Sequence, residues 1–149
     1  QESLMTDREA AASLLFSQHT LVLATTAEDG VPHGAPLYYV TGEDFRVYWL
    51  SSPRSAHSRA LSRGASVAIF QPAEDWRDIR GLQMWGAAHA VRSLREKTLV
   101  LERYRKRFSL GAEFAPLIAR TRLYVFEPAR VRYIDNSRGF GYRAEFDPR

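Results

Sequence analysis

Residues 50–64 read LSSPRSAHSRALSRG and gather Ser51, Ser52, Arg54, Ser55, His57 and Arg59 into one short stretch. Hydroxyls donate to phosphate oxygens, and the planar guanidinium of arginine grips two such oxygens at once. The set therefore suits a phosphate-bearing small molecule, with Ser51, Ser52, Arg54, Ser55 and His57 as its candidate ligands. The alternative is that Ser52 merely caps a helix and the basic residues form a solvated face.

The elements on either side must position this cluster. FRVYWLS (45–51) is rich in β-branched and aromatic residues and reads as a strand. Ser52 then stands as an N-cap, Pro53 as the first helical residue and Gly64 as the stop, which predicts a helix of about three turns. Such a helix would add the partial positive charge of its N-terminus to the cluster.

Thr6-Asp7-Arg8-Glu9 has the form of a capping box and predicts a helix running to about Gln18. TLVLATT (20–26) and HGAPLYYV (33–40) read as strands that, with 45–51, make a three-stranded meander. ASVAIFQ (65–71) is strand-like, and QPAEDWRD (71–78) is a loop. In IRGLQMWGAAHAV (79–91) the period of two puts Gly81, Gln83 and Trp85 on one face and Leu82 and Met84 on the other, with a glycine bulge expected. LREKTLVLERYRKRF predicts an amphipathic helix with Leu94, Leu101, Tyr104 and Phe108 on one face and Glu102 pairing with Lys106. AEFAPLIAR adds a shorter helix. RLYVFEP and ARVRYID read as a closing strand pair around Pro128, and DNSRGFG (135–141) as a flexible turn carrying Arg138 and Phe140. Clustered strands with inserted helices favour a small closed barrel, mainly β in class, over a doubly wound sheet.

Several chemistries find no support. His19, His33, His57 and His89 show no HxxxH, HxH or HExxH spacing, so no metal site is expected. There is no GxSxG elbow and no GxGxxG after a strand. The absence of cysteine removes thiol nucleophiles and disulfides and fits a reducing compartment. With 149 residues, 45% hydrophobic and 26% charged, the chain reads as one globular domain over 1–149. No apolar run is long enough to span a membrane, and the acidic start does not resemble a secretion signal, so a cytoplasmic protein is expected. The +4 formal charge points to an anionic partner, but its cations are interspersed with acids. Trp49, Trp76 and Trp85 offer stacking surfaces to a nucleic acid, yet core packing accounts better for most of the aromatics, and no nucleic-acid partner is expected.

The order and spacing of these motifs, from HTLVLATTAEDGVPHGAPLYYV through VYWLSSPRSAHSRAL and IRGLQMWGAA to VRYIDNSRGFG, resemble the FMN-binding split-barrel family, best known for the pyridoxine (pyridoxamine) phosphate oxidases. The resemblance implies a six-stranded split β-barrel of Greek-key type with helices at its rim, forming a homodimer with FMN held between subunits. It assigns the flavin phosphate to Ser51, Ser52, Arg54, Ser55 and His57. The ring falls to Ala35, Pro36 and Leu37, with Trp49 and Leu50, while Gln83 is contributed by the partner subunit. Ser55 replaces a lysine common in the oxidases, and their C-terminal substrate signature is not found, which argues against vitamin B6 oxidation. Arg138 and Phe140 fall on the substrate side. The resulting expectation is a flavin-dependent oxidoreductase acting on a small molecule. A flavin carrier or sensor, or a split barrel holding a deazaflavin or haem, is the alternative.

Overall fold

The computed structural model describes residues 5–149; Gln1–Leu4, which open the acidic segment read above, lie outside the described residues. Thr6 caps α1 (Asp7–Ser17) by accepting the Glu9 amide at 3.1 Å, and its hydroxyl donates to the Glu9 carboxylate at 3.0 Å. The helix buries Ala10, Ala11, Leu14 and Leu15, a stripe one helical turn in period, on the main core.

Eight strands follow: β1 (Thr20–Thr26), β2 (Pro32–Tyr38), β3 (Val40–Thr41), β4 (Val47–Ser51), β5 (Ala65–Phe70), β6 (Arg80–Ala90), β7 (Arg122–Asp135) and β8 (Arg143–Phe146). They form one antiparallel sheet in the order β2-β1-β5-β6-β7-β4-β3, with β8 also on β7. The two end strands, β2 and β3, are joined in the chain by the single residue Tyr39. The ends of the sheet must therefore meet, and the sheet curls into a barrel. No ladder joins β2 to β3 or β4, so the barrel keeps an open seam. Tyr39 pins that crossing. Its ring is buried, its hydroxyl donates to the Leu15 carbonyl, and its amide donates to the carbonyl of His19 at 3.1 Å.

Alternation sorts the side chains. Leu21 and Leu23, Val47 and Trp49, Val67 and Ile69, and Leu82 and Met84 fill the barrel. Tyr48, Leu123 and Val125 point the other way and meet Val100 and Tyr104 of α3 (Leu94–Arg107), forming a second core. α4 (Ala115–Arg120) leads into β7.

The structure corrects several expectations. The split-barrel architecture holds, with eight strands among the described residues where the resemblance implied six: β8 was unread and the 33–40 segment breaks at Tyr39. The meander is absent: β4 pairs with β7 and β3, and not with β2. The supposed strand pair around Pro128 is one continuous strand, β7. Its pairing with β6 skips Ala129, so Trp85 opposes Arg130 while Gly86 opposes Pro128. The extra residue moves the inward positions of β7 from Tyr124 and Phe126 to Val131 and Tyr133, and a proline is tolerated at such a bulge because the ladder is already interrupted. In α3, Leu94 lies on the solvent side, and Arg105 at 2.7 Å takes Glu102 ahead of Lys106 at 4.0 Å. No helix among the described residues is long and apolar enough to cross a membrane.

Candidate functional site

The segment after β4 forms a tight turn before it forms a helix. Ser55, not Ser52, is the N-cap: its Oγ accepts the Ser58 amide at 3.3 Å. α2 (Ala56–Arg59) is a single turn, followed by a 3-10 turn at Leu61–Arg63 and Gly64 at φ +93°. The three-turn helix is therefore corrected to a short one, because Ser52 uses its oxygen on the Arg54 amide at 3.2 Å and its carbonyl on Ser55. One turn sums few peptide dipoles, so the positive field here must come from side chains.

Those side chains divide into committed and free groups. Ser51 continues the inward alternation of β4 and is buried, with Oγ 2.8 Å from Nε2 of His57. Burial lowers the pKa of His57, which favours the neutral imidazole that can accept a hydroxyl proton. Ser55 is taken up by Ser52, Ser58 and its own cap. Arg54 and the Ser52 hydroxyl face outward, and Arg54 has no carboxylate partner among the described residues. The turn thus presents the uncompensated guanidinium of Arg54 beside hydroxyls, with that of Arg59 one turn on, the chemistry of a phosphate or carboxylate grip.

Beside the turn runs the seam. β3 pairs only with Val47 and Tyr48 of β4, so the outer edge of Trp49–Ser51 has no strand partner among the described residues. The edge of β2 away from β1 also has no strand partner among the described residues. Along β2, Pro32 and Pro36 lack an N–H, which places residues 32, 34, 36 and 38 with their polar backbone groups toward the open edge and 33, 35 and 37 toward β1. Of Ala35, Pro36 and Leu37, Pro36 therefore offers a carbonyl to the seam, while Ala35 and Leu37 turn their side chains inward. Trp49 is fully buried in the barrel, leaving its backbone as the part open to a ligand, and Leu50 packs toward α3. Turn, seam and β2 come together through contacts of α2 with β1 and β2.

Gln83 stands apart. Its row across the sheet runs Gln83, Ala68, Val22, Pro36, three inter-strand spacings or about 14 Å. It lies on the outer face, where Oε1 accepts from Arg132 at 3.2 Å. Arg132 also pairs with Glu145 at 2.7 Å and stands 5.3 Å over the Trp85 ring. Arg132 was missed from sequence, although the alternation of Val131 and Tyr133 with Arg130 and Arg132 carried the signal.

Arg138 is also committed. It donates to Asp7 Oδ1 at 2.7 Å and to the Met5 carbonyl, while Tyr142 donates to Asp7 Oδ2 at 2.8 Å. The turn is fixed further by Asn136, which is buried and donates to the Trp76 carbonyl at 3.0 Å. Phe140 is 84% exposed and meets only the edge of Trp76, at 5.8 Å. Neither residue joins the β4–α2 turn within one chain. Two buried polar atoms that sequence reasoning did not reach, Thr25 Oγ1 and Trp49 Nε1, have no partner among the described residues.

The family model of pyridoxamine 5'-phosphate oxidase matches residues 7–135. No protein of curated function matches the sequence. Among solved structures, the haem-binding protein of Mycobacterium smegmatis superposes with a TM-score of 0.79 at 20% identity, over 99% of this chain and 60% of that one. The chain thus spans 60% of that relative's length. The haem storage protein HutZ of Vibrio cholerae gives 0.69 at 19% identity, over 83% of this chain and 91% of that one. An FAD-binding protein of Mesorhizobium loti gives 0.60 at 21%, over 82% and 89%. At such identities these structures share the fold alone. A curled antiparallel sheet with an open seam, the serine and arginine turn at the end of its fourth strand, and a family match across most of its length together mean that the chain belongs to the pyridoxamine 5'-phosphate oxidase family.

Proposed function

We propose that the chain binds FMN and acts, as a homodimer, as a flavin-dependent oxidoreductase on a small molecule. The observation that carries this reading is Arg54, a guanidinium without a carboxylate partner, set beside the Ser52 hydroxyl at the mouth of the seam. The fit to a flavin is good. Arg54 and Ser52 meet the phosphate, and the open edges of β2 and of Trp49–Ser51 present backbone groups to a flat ring with polar margins, the Pro36 carbonyl serving a ring N–H. The flavin supplies the hydride and electron chemistry. The chain's own residues bind and orient: Ser51 and His57 hold the turn, and Arg54 fixes the anion.

The second copy has a physical argument. The outer face carries an open trough among Val22, Ala24, Ala68, Gln83, Trp85 and Arg132. Gln83 reaches a ring held at Pro36 only from another chain, given the two strands, β5 and β1, between them.

Reconstitution tests the reading. FMN is expected to bind at micromolar or better, riboflavin more weakly because it lacks the phosphate, and Arg54→Ala to weaken FMN but not riboflavin by roughly tenfold to a hundredfold. Equal affinity of the wild type for FMN and riboflavin would sink the phosphate role. Haem is the second reading, favoured by the two haem proteins among the similar structures, with Arg54 then meeting a propionate. A strong Soret band after haem addition, without flavin uptake, would decide for it.

A further inference from the structure

At the end of β4 remote from Ser51, a second crevice opens between the C-terminal ends of α1 and α3, over β3. It encloses about 350 Å³, and its floor is Tyr39 and Val40, both buried. One wall is Phe16, a large aromatic left 64% exposed. The other is the face of α3 bearing Arg103, Lys106 and Arg107, which the spacing of three and four residues aligns on one side of the helix.

The charge in this crevice is not neutralised. Arg103 donates to the Thr41 carbonyl at 2.9 Å, and Arg107 donates to the carbonyls of Phe16 and, at 3.2 Å, of Gln18. Carbonyls fix the direction of a guanidinium but carry no charge. Neither arginine has a carboxylate within ion-pair distance among the described residues, and Lys106 shares Glu102 only at 4.0 Å with the better-placed Arg105. No acid among the described residues lines the crevice. Arg107 also lies 5.0 Å over the Phe16 ring, so the aromatic wall already accepts a stacked planar group on one side.

From this arrangement we infer a second binding site, separate from the seam, for a small aromatic carboxylate. An apolar floor with an aromatic wall takes the ring, and Arg103 and Lys106 take the carboxylate. The volume falls at the lower end of small-molecule pockets, which suits one or two fused rings and not a peptide. The site begins about 13 Å along β4 from Ser51, because Thr41 pairs with Val47 four residues earlier.

Naphthalene-2-carboxylate, titrated into the isotope-labelled full chain and followed by amide chemical shifts, tests this. The largest shifts are expected at Gln18, Thr41 and Lys106. The uncharged naphthalene-2-carboxamide, and the exposed variants Lys106→Gln and Arg103→Gln, are each expected to weaken binding roughly tenfold, with the amide spectrum of the rest of the chain unchanged. Shifts centred on the outer-face trough around Gln83, or equal affinity for acid and amide, would overturn the assignment. Unaltered binding in both variants would do the same.

Discussion

Ser51 Oγ lies 2.8 Å from His57 Nε2, which ties the last residue of β4 to the single-turn helix that follows it. The hydroxyl donates to the bare nitrogen or accepts from a protonated one, so the contact itself favours neither form, but burial lowers the pKa of His57 below its ordinary value of about 6.5. The folded chain then binds this proton less readily than the unfolded chain. Stability is lost as pH falls through the unfolded value, until the folded value is passed. The melting temperature of the wild type is expected to drop more than that of His57→Gln between about pH 7.5 and 5.5. Parallel curves would show that the histidine does not couple the turn to the fold.

Arg138 and Tyr142 both grip Asp7, so the turn after β7 is latched to the start of α1. Arg138→Ala and Asp7→Asn are each expected to lower the melting temperature, and the double variant to lower it little more than either single one. Flavin affinity should stay within about twofold, since neither residue reaches the β4–α2 turn in one chain. Additive losses in the cycle would remove the latch. A large fall in flavin affinity would instead place Arg138 near the ligand, on the side that the family resemblance implied.

Asp135 is buried, which alone would raise its pKa. The hydroxyl and amide of Ser137, at 2.6 and 3.0 Å, the Tyr133 hydroxyl at 3.1 Å and the nearby Arg80 outweigh burial and lower it. A depressed carboxylate stabilises the fold above its unfolded value of about 4, and that contribution fades as pH falls toward the folded one. Asp135→Asn is expected to cost about 1–3 kcal/mol at neutral pH in urea unfolding, and less near pH 3. A cost that holds constant down to acid pH would contradict this.

Gly86 faces the bulge at Pro128. A Cβ there would sit 2.2 Å from the Glu127 carbonyl oxygen and 2.9 Å from the Ala129 nitrogen, both backbone atoms that cannot swing aside. Gly86→Ala is expected to destabilise by about 2–4 kcal/mol or to shift the β6–β7 pairing, read by urea unfolding and by exchange of amides 82–90. Gly64→Ala has open space around it and is limited to the strain of its positive φ, so it should cost less.

Local signals carried much of this fold. The first strand, the N-cap at Thr6 and the pairing of Leu82 with Met84 on one face follow from period and caps alone, and the structure places them as read; of the capping box only the threonine half forms, because the Glu9 carboxylate takes the Thr6 hydroxyl. What was not legible depended on partners distant in sequence. Tyr39 ends β2 because its amide and hydroxyl are claimed by His19 and Leu15, and Pro128 sits inside a strand because Gly86 lies opposite it. At the site, residue types marked the turn as anion-seeking, but a local pattern does not tell which hydroxyls are spent. Ser51 and Ser55 are consumed by His57 and the cap, and this depends on three-dimensional placement. Arg138 belonged to a motif that looked available, and its partner stands 131 residues earlier.

The free rim of β2 has a further consequence, for solubility. A row of unsatisfied amides invites another chain to add itself as a new strand and so to start a fibre. Pro32 and Pro36 remove two of the four donors that this rim would otherwise expose, at residues 32, 34, 36 and 38. The same prolines leave their carbonyls in place, so the rim keeps acceptors for a hydrogen-bonding ligand while offering fewer donors to a growing stack of its own kind.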